Sequence, residues 1–168
     1  MIFTASGNSL LIFTPQNNEP PASAFATLDT RNAHLVLDLD DTTAESIVFT
    51  GILPRNYAAG GLTVYIHYAM TSAVANAIVL SSAFERIGDG IQDIDADGFA
   101  TAVNSASTTV PATSGNVDIL SIAHTDGAQI DSIAVGEAFR LKIARVPADA
   151  GDTAAGDCEV LGCEIKET

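Results

Sequence analysis

The alternation of apolar and polar residues along residues 60–87 predicts two long β-strands at the centre of the fold. Residues 62–70 and 77–87 are rich in β-branched and aromatic side chains, and a short polar segment beginning at Thr71 separates them. Because side chains alternate along a strand, one face of the first run is strongly apolar and is formed by Leu62, Val64, Ile66 and Tyr68. We therefore predict a central hairpin around which the remaining strands pair and pack.

Shorter segments of the same kind predict the other strands. They are separated by turns rich in Gly, Pro or Asp, and they comprise residues 9–13, 25–30, 34–39, 45–53, 99–103, 108–110, 116–124, 129–132, 137–146 and 157–166. Helical periodicity is scarce, and only residues 44–45 or 128–133 could form a turn or two of helix. About eight strands with frequent turns predict an all-β fold, a single antiparallel β-sandwich of jelly-roll type.

The domain organisation follows from the absence of repeats and linkers. Residues 1–21 are predicted to form an N-terminal arm that ends in a proline-rich loop, and residues 22–168 are predicted to form one β-sandwich domain. Apolar residues in the arm are compatible with packing on its own domain or with an edge strand lent to a neighbouring subunit.

Composition and charge restrict the kinds of partner that this chain is expected to bind. The chain has 168 residues, of which 47% are hydrophobic and 17% charged, which indicates a folded domain. Its 7 Lys and Arg against 21 Asp and Glu give a formal charge of −14, which disfavours binding to nucleic acid or anionic lipid. No basic region precedes an apolar core at the start, and no run approaches the roughly 20 apolar residues of a membrane helix. We expect no membrane association and no secretion by a cleaved signal, whereas long uncharged stretches suggest contact with other subunits.

The cysteines are Cys158 and Cys163, five residues apart in one predicted strand. An odd spacing places them on opposite faces of a regular strand, too far apart for a disulfide. Two buried free thiols are the expected outcome, although Gly162 could introduce a bulge that changes the phase.

The sharpest local motif is the acidic segment from Asp93 to Gly98. Its D-x-D-x-D-G spacing matches the opening of a calcium loop and makes Asp93, Asp95 and Asp97 candidate ligands. The twelfth position is Asn104 instead of the usual Glu, and no flanking helices are predicted. A solvated acidic loop without an ion is therefore the favoured interpretation, and no cofactor is expected.

Catalytic motifs are absent from the sequence. His34, His67 and His124 lie in or at the ends of predicted strands without a nucleophile or metal motif around them. Carboxylates are numerous, so a glycosidase pair such as Glu85 with Glu137 would be an arbitrary choice. We expect a protein that is not an enzyme.

Three tyrosines are the aromatic residues nearest the central strands. An exposed aromatic platform can bind sugar rings, but the chain has no Trp, and two of the three tyrosines lie inside a predicted strand. Core or subunit-interface packing is favoured for Tyr57, Tyr65 and Tyr68.

The region from Leu35 to the C-terminus resembles a group of small bacteriophage and prophage virion proteins. The resemblance lies in a proline and aromatic loop leading into GGLTV, a strand that ends in AFERI, and a later FRLKIAR strand before the final strand. It implies a jelly-roll or related β-sandwich that forms trimers on the virion and binds the major capsid protein or other virion proteins. The expected function is capsid decoration and stabilisation, in a protein made in the host cytoplasm. The alternative is a tail-associated receptor- or carbohydrate-binding module that could be assisted by calcium.

Overall fold

The computed structural model describes residues 8–72 and 75–168 and shows a jelly-roll-like antiparallel β-sandwich. The strands of the described residues are β1 (Ser9–Phe13), β2 (Thr27–Arg31), β3 (His34–Leu39), β4 (Ser46–Ile52), β5 (Leu62–Met70), β6 (Ala77–Ile78), β7 (Leu80–Ile87), β8 (Val103–Asn104), β9 (Thr108–Thr109), β10 (Asp118–His124), β11 (Ala138–Arg145) and β12 (Cys158–Glu167). Two short 3₁₀ helices cover Pro15–Asn17 and Ala128–Ile130. Within the described part of the chain, no helix has the length and apolarity needed to span a membrane.

The larger sheet is built around β5, in the order β10-β5-β12-β3-β2. The strand β12 pairs with β5 on one side and is shared on the other side between β3 and β1. The predicted apolar face of β5 is confirmed, because all of its members are buried in the core: Leu62, Val64, Ile66 and Tyr68.

The second sheet has the order β4-β11-β7-β8, and β6 pairs separately with β9. Along β11, buried and half-buried residues alternate, with Phe139, Leu141 and Ile143 fully buried. This alternation is the pattern of a strand with one face on the core, so the prediction for residues 137–146 is confirmed.

The predicted central hairpin is wrong. Both long strands exist, but β5 lies in the larger sheet, and β7 lies in the smaller sheet beside β11. The residues between β5 and β7 lack the Asn-Gly or Asp-Gly pair that closes a two-residue hairpin, and nine residues are enough to cross between packed sheets about 10 Å apart. The two strands therefore belong to different sheets that pack on the core from opposite sides, and they are not neighbours in one sheet.

The described part of the N-terminal arm packs on the same chain. The strand β1 pairs with the end of β12, and the Phe13 ring stacks on Phe49 with centroids 5.1 Å apart. The following loop runs along the open edge of β4, where Glu19 and Ala26 donate backbone hydrogen bonds to Val48 and Ser46. The arm thus connects the two sheets and covers one edge. The domain boundary at residue 21 stays a prediction.

The expectation that the two cysteines face opposite sides of β12 is also wrong. The register of β12 against β5 shifts between Val160 and Gly162, which is a β-bulge at Leu161. This extra residue reverses the alternation, so Cys158 and Cys163 both belong to the core. Both are free and buried, as predicted, and burial raises the pKa of each thiol well above its usual value.

Two predicted strands are wrong or shortened. Residues 129–132 contain the end of a 3₁₀ helix followed by left-handed backbone at Asp131 and Ser132, so they cannot extend as a strand. The strand predicted at residues 99–103 is reduced to Val103–Asn104, because the preceding residues form a loop that contacts β7 through the amide of Ala100. The helical turn expected near residues 128–133 is confirmed.

Candidate binding groove

The outer face of the larger sheet carries polar and aromatic side chains from five strands. Cross-strand pairing places Glu159 of β12 between Asp38 of β3 and Ala69 of β5. On β5, two residues before Ala69, His67 lies beside Ile119 of β10. The next set across the sheet consists of Ile12, Glu164, Tyr65 and Ser121. Since side chains on one face of neighbouring strands lie about 5 Å apart, these residues form one continuous surface.

Two cavities lie end to end on this face and share Leu161. The first has a volume of about 380 Å³ and is lined by Arg31, Asn32, His34, Val36, Ala69, Gly115, Val117 and Leu161. The second has a volume of about 340 Å³ and is lined by Ile12, Phe13, Thr14, His67, Leu161, Gly162, Cys163 and Glu164. Each lies within the range of about 300–1,000 Å³ that is typical of small-ligand sites. We call the two cavities together the outer groove.

Arg31 closes one side of the outer groove. It lies at the end of β2, and its guanidinium reaches over the sheet to an ion pair with Glu159. It also donates to the carbonyl of Met70 at 3.1 Å and to the hydroxyl of Ser114 at 2.8 Å. These fixed contacts hold the arginine stem along the cavity wall and leave its charge largely compensated by Glu159.

The carboxyl group of Asp38 lies next to this ion pair. Its Oδ1 atom is buried and has no hydrogen-bond partner among the described residues. Burial, followed by repulsion from Glu159, raises the pKa of Asp38 to about 6. This group therefore changes charge near neutral pH beside the first cavity.

Aromatic side chains lie at and beside the second cavity: His67 lines it, and Tyr65 neighbours the lining residue Glu164. Tyr65 and His67 are half-buried on the same face of β5, and the Lys166 ammonium lies 5.9 Å from the centroid of the Tyr65 ring. The floor of the first cavity is apolar, since Val36 and Ala69 are almost fully buried. An apolar floor with aromatic rings and both donors and acceptors at the rim suits a ligand that has apolar ring faces and hydroxyl groups.

Carboxylates outnumber cations on the face that carries the outer groove. Arg31 and Lys166 are the cations, His34 and His67 add neutral polar groups, and the carboxylates are those of Asp29, Asp38, Glu159 and Glu164. A face of this kind offers no excess of positive charge to attract an anion. The surface is therefore better matched to a neutral polar ligand than to a phosphate or a polyanion.

The predicted calcium ligands lie on an exposed loop away from the outer groove. The carboxylates of Asp93 and Asp97 each accept a nearby backbone amide, from Asp95 and Gly98. Among the described residues, the group of three potential ligands that come within 4.8 Å of one another is Asp40, Asp41 and Asp157, not the predicted trio. The solvated loop without an ion stays the favoured prediction for Asp93, Asp95 and Asp97, and calcium titration of the purified chain against Asp95→Asn would test it.

The three tyrosines separate into core and surface. Tyr57 and Tyr68 are buried in the core, and their hydroxyls lie 3.4 Å and 3.3 Å from carboxylate oxygens of Asp126 and Asp118. Burial raises the pKa of both phenols. Tyr65 alone of the three lies on the outer face. An interface role for the trio stays a prediction, and in the folded subunit only the ring of Tyr65 is placed to provide one.

Ser82 with His124, and Glu85 with Glu137, resemble catalytic pairs in residue type, but these side chains make contacts that serve the fold. Ser82 Oγ lies 2.7 Å from His124 Nε2, but His124 is 1% exposed, and burial lowers the pKa of its imidazole. The carboxylates of Glu85 and Glu137 form ion pairs with Arg140 and Arg86. These contacts stabilise the smaller sheet and its loops.

Comparisons with known proteins support the fold. No protein-family model matches the chain, and no curated protein matches it. The fold is similar to the CBM22-2 xylan-binding domain of Paenibacillus barcinonensis Xyn10C, with 13% identity, a TM-score of 0.53, and coverage of 95% of this chain and 100% of that one. It is also similar to CBM35 from Cellvibrio japonicus Abf62, with 12% identity, a TM-score of 0.51, and coverage of 94% and 92%.

A viral structure also matches, but at a lower level. A chain from infectious bursal disease virus, strain Gt, has 13% identity and a TM-score of 0.39, with 96% of this chain and 33% of that chain covered. A similarity this low carries no argument. The jelly-roll-like fold is therefore supported by the carbohydrate-binding modules, and the phage resemblance rests on the sequence.

The outer groove was not recognised in the sequence. His34 and His67 were singled out individually, but Arg31 and Leu161 were not. Cross-strand pairing places these residues together, although they are far apart in the chain. The one available signal was the alternation of Tyr65 and His67 on the mixed face of a long strand.

Proposed function

We propose that this chain is a non-enzymatic binding module of a phage particle that holds a neutral, hydroxyl-rich ligand, such as a host-surface glycan, in the outer groove. The observation that carries the proposal is the groove itself, two adjoining cavities with an apolar floor and a rim of paired polar groups. Similarity in fold to modules described as carbohydrate-binding supports it. The resemblance to virion proteins supports the location on a phage particle.

The chemistry of the residues explains how such a ligand would be held. His34 and the backbone around Gly115 border the first cavity, while His67 and Glu164 border the second. A glycan chain lying across Leu161 would place sugar rings against the apolar floor and Tyr65, with hydroxyls directed at the rim. Because the ion pair of Arg31 is already formed, little reorganisation would be needed on binding.

Binding to neutral polysaccharides tests this proposal directly. Titration calorimetry with soluble xylan, mannan and a set of neutral bacterial glycans should detect at least one ligand for the wild-type chain. Tyr65→Ala and His67→Ala should each weaken that binding at least tenfold, while Ile94→Ala, at an exposed position in the acidic loop, should leave it unchanged. A wild-type chain that binds none of these glycans, or folded variants that bind as well as wild type, would contradict the proposal.

The second candidate function is capsid decoration by self-assembly and binding to the major capsid protein. Exposed apolar side chains near the outer face favour it, namely Ile12 at 71% exposure, Val117 at 55% and Ile119 at 52%. A stable trimer, as the resemblance implies, that Tyr65→Asp dissociates without unfolding would support this function. Light scattering with and without EDTA measures the mass and shows whether a metal ion is needed for assembly.

A further inference from the structure

We propose that two copies of this chain pair through the outer edge of β10, so that their larger sheets join into one continuous antiparallel sheet across a twofold axis. This pairing does not depend on the identity of any ligand in the outer groove. The strand edge that it uses adjoins the outer groove but contributes none of the residues that line it.

The first observation is that β10 ends the larger sheet. Within residues 8–72 and 75–168, β10 pairs only with β5, so no strand is hydrogen-bonded to its other side, although β8 of the smaller sheet lies close to it. Thr168 at the end of β12 donates to the carbonyl of Gly61, so the odd-numbered residues of β5 direct their backbone groups to β12 and the even-numbered ones to β10. The amide of Ile119, opposite His67, therefore lies on the side away from β5, where it donates to the carboxylate of its own neighbour Asp118 at 2.8 Å. Alternation along the strand turns the amides of Ser121 and Ala123 to the same free side.

The second observation is that β10 lacks the usual protection of an edge. Charged side chains, proline, bulges or a covering segment normally prevent edge strands from pairing. Ile119, Ser121 and Ala123 are exposed and uncharged, in a chain whose formal charge is −14. By contrast, the β2 edge at the other end of the sheet carries Asp29 and Arg31.

The smaller sheet shows the same contrast. The residues that follow β1 run along the edge of β4 and contribute backbone hydrogen bonds from Glu19 and Ala26. The opposite edge strand, β8, has only two residues. Among the described strands, β10 is thus the long unpaired edge, with uncharged outward-facing residues after Asp118 at its start.

The third observation is that β10 is complementary to itself. An antiparallel pair centred on Ser121 sets Ser121 opposite its counterpart and Ile119 opposite Ala123. The three outward-facing residues of each copy could then exchange about six backbone hydrogen bonds, two of which replace the bond that each Ile119 amide makes to Asp118. The Asp118 carboxylates of the two copies lie at opposite ends of this ladder, roughly 20 Å apart at 3.4 Å per residue, so like charges are kept apart.

The occupant is therefore a second copy instead of an unrelated peptide. The uncharged outward-facing residues of this strand let two copies of so acidic a chain approach closely. Pairing would also cover the exposed side of Ile119 and set the two outer grooves on the same side of the joined sheet. Two grooves on one face would bind a long or surface-bound ligand with avidity.

Sedimentation and light scattering test the pairing through the solution mass. Wild type should be a dimer, or an assembly built from dimers, and Ser121→Lys and Ile119→Lys should each shift it to half that mass. The matched control is Leu28→Lys, which places the same charge at an exposed position on the β2 edge and should leave the mass unchanged. Circular dichroism and the melting temperature confirm that each variant is folded.

A cysteine at the twofold axis gives a second, independent measurement. Directly opposed residues in a hydrogen-bonded antiparallel pair have Cα atoms about 5.5 Å apart, within disulfide range. Under mild oxidation, Ser121→Cys should form a covalent dimer, whereas Thr30→Cys on β2 should not. Both native cysteines are buried and should not interfere.

The outcomes separate this proposal from the binding proposal. A monomeric wild type, or an assembly such as a trimer that survives both lysine substitutions and does not cross-link through residue 121, would overturn the β10 pairing. Glycan titration of the wild-type chain would then still show whether the outer groove binds. Loss of glycan binding with an intact dimer would count against the groove and leave the pairing standing.

Discussion

Arg145 is the largest side chain that is fully buried, although it carries a charge. Its guanidinium donates to both carboxylate oxygens of Asp152, at 2.8 Å and 3.1 Å, and to the carbonyls of Ala154 and Gly156. Arg145→Met leaves the Asp152 carboxylate buried without its partner and should lower the free energy of unfolding by about 3–5 kcal/mol. Urea denaturation measures the loss.

Arg140 provides the comparison for Arg145 on the same strand. Its ion pair with Glu85 is about one third exposed on the arginine side but only 8% exposed on the glutamate side, so Arg140→Met should cost less than Arg145→Met, about 1–3 kcal/mol. Combining Arg145→Met with Asp152→Asn should recover part of the stability, because the uncompensated charge is removed. Equal losses for the two arginine variants would show that burial does not set the strength of these pairs.

Asp38 should make stability depend on pH. Its pKa in the folded chain is about 6, above its ordinary value of 3.8, so the folded state binds the proton more tightly than the unfolded state. The contribution of Asp38 to stability is therefore greatest below about pH 4 and is lost as the pH rises through 6. Asp38→Asn should raise the melting temperature at pH 7 to 8 and change it little at pH 4.

The control for Asp38 is Asp95→Asn, which removes one carboxylate from the exposed loop. Both variants reduce the net charge equally, so the difference between them isolates the buried site. A melting temperature that changes with pH identically in Asp38→Asn and wild type would refute the assignment.

At the scale of elements, strand existence was predictable from the sequence and strand pairing was not. The alternation in β3, β5 and β11 predicted their positions to within one residue at each end. Adjacency in the chain suggested that β5 pairs with the next long strand, but the two cross between sheets. A sequence pattern shows which face is buried but does not show which sheet supplies the partner.

The bulge in β12 is the element-scale feature with the sharpest test. Gly162 has a φ of 155°, and a Cβ atom there would lie 2.5 Å from the carbonyl oxygen of Phe13. Gly162→Ala must therefore displace β1 from β12 or strain the backbone, and it should lower the free energy of unfolding by about 1–3 kcal/mol. Hydrogen exchange should show the loss first at the amides of β1.

Gly98 gives the matched control for Gly162. A Cβ atom at Gly98 would meet no atom within 4 Å, so Gly98→Ala should change stability by only a few tenths of a kcal/mol. Equal effects of the two substitutions, or unchanged exchange in β1, would mean that the bulge does not hold the arm in place.

At the scale of the whole molecule, the outer groove shows why a site can escape sequence analysis. Its lining residues come from β1, β2, β3, β5 and β12 and from the segment before β10. Each of these residues, taken alone, resembles an ordinary strand or loop residue. The site exists because the bulge at Leu161 and the order of the strands bring them to one face.

The net charge of −14 predicts how self-association responds to salt. Two copies that meet through the uncharged β10 edge repel each other through the rest of their surfaces. Salt screens this repulsion, because the distance over which exposed charges interact falls from about 30 Å at 0.01 M to about 3 Å at 1 M. The dissociation constant of the dimer should therefore decrease several-fold as sodium chloride rises across this range, as sedimentation equilibrium can measure. An interface held by ion pairs would weaken instead, because salt screens attraction as well. Association that loosens with salt would thus exclude a neutral strand edge as the main contact, whatever mass the assembly has.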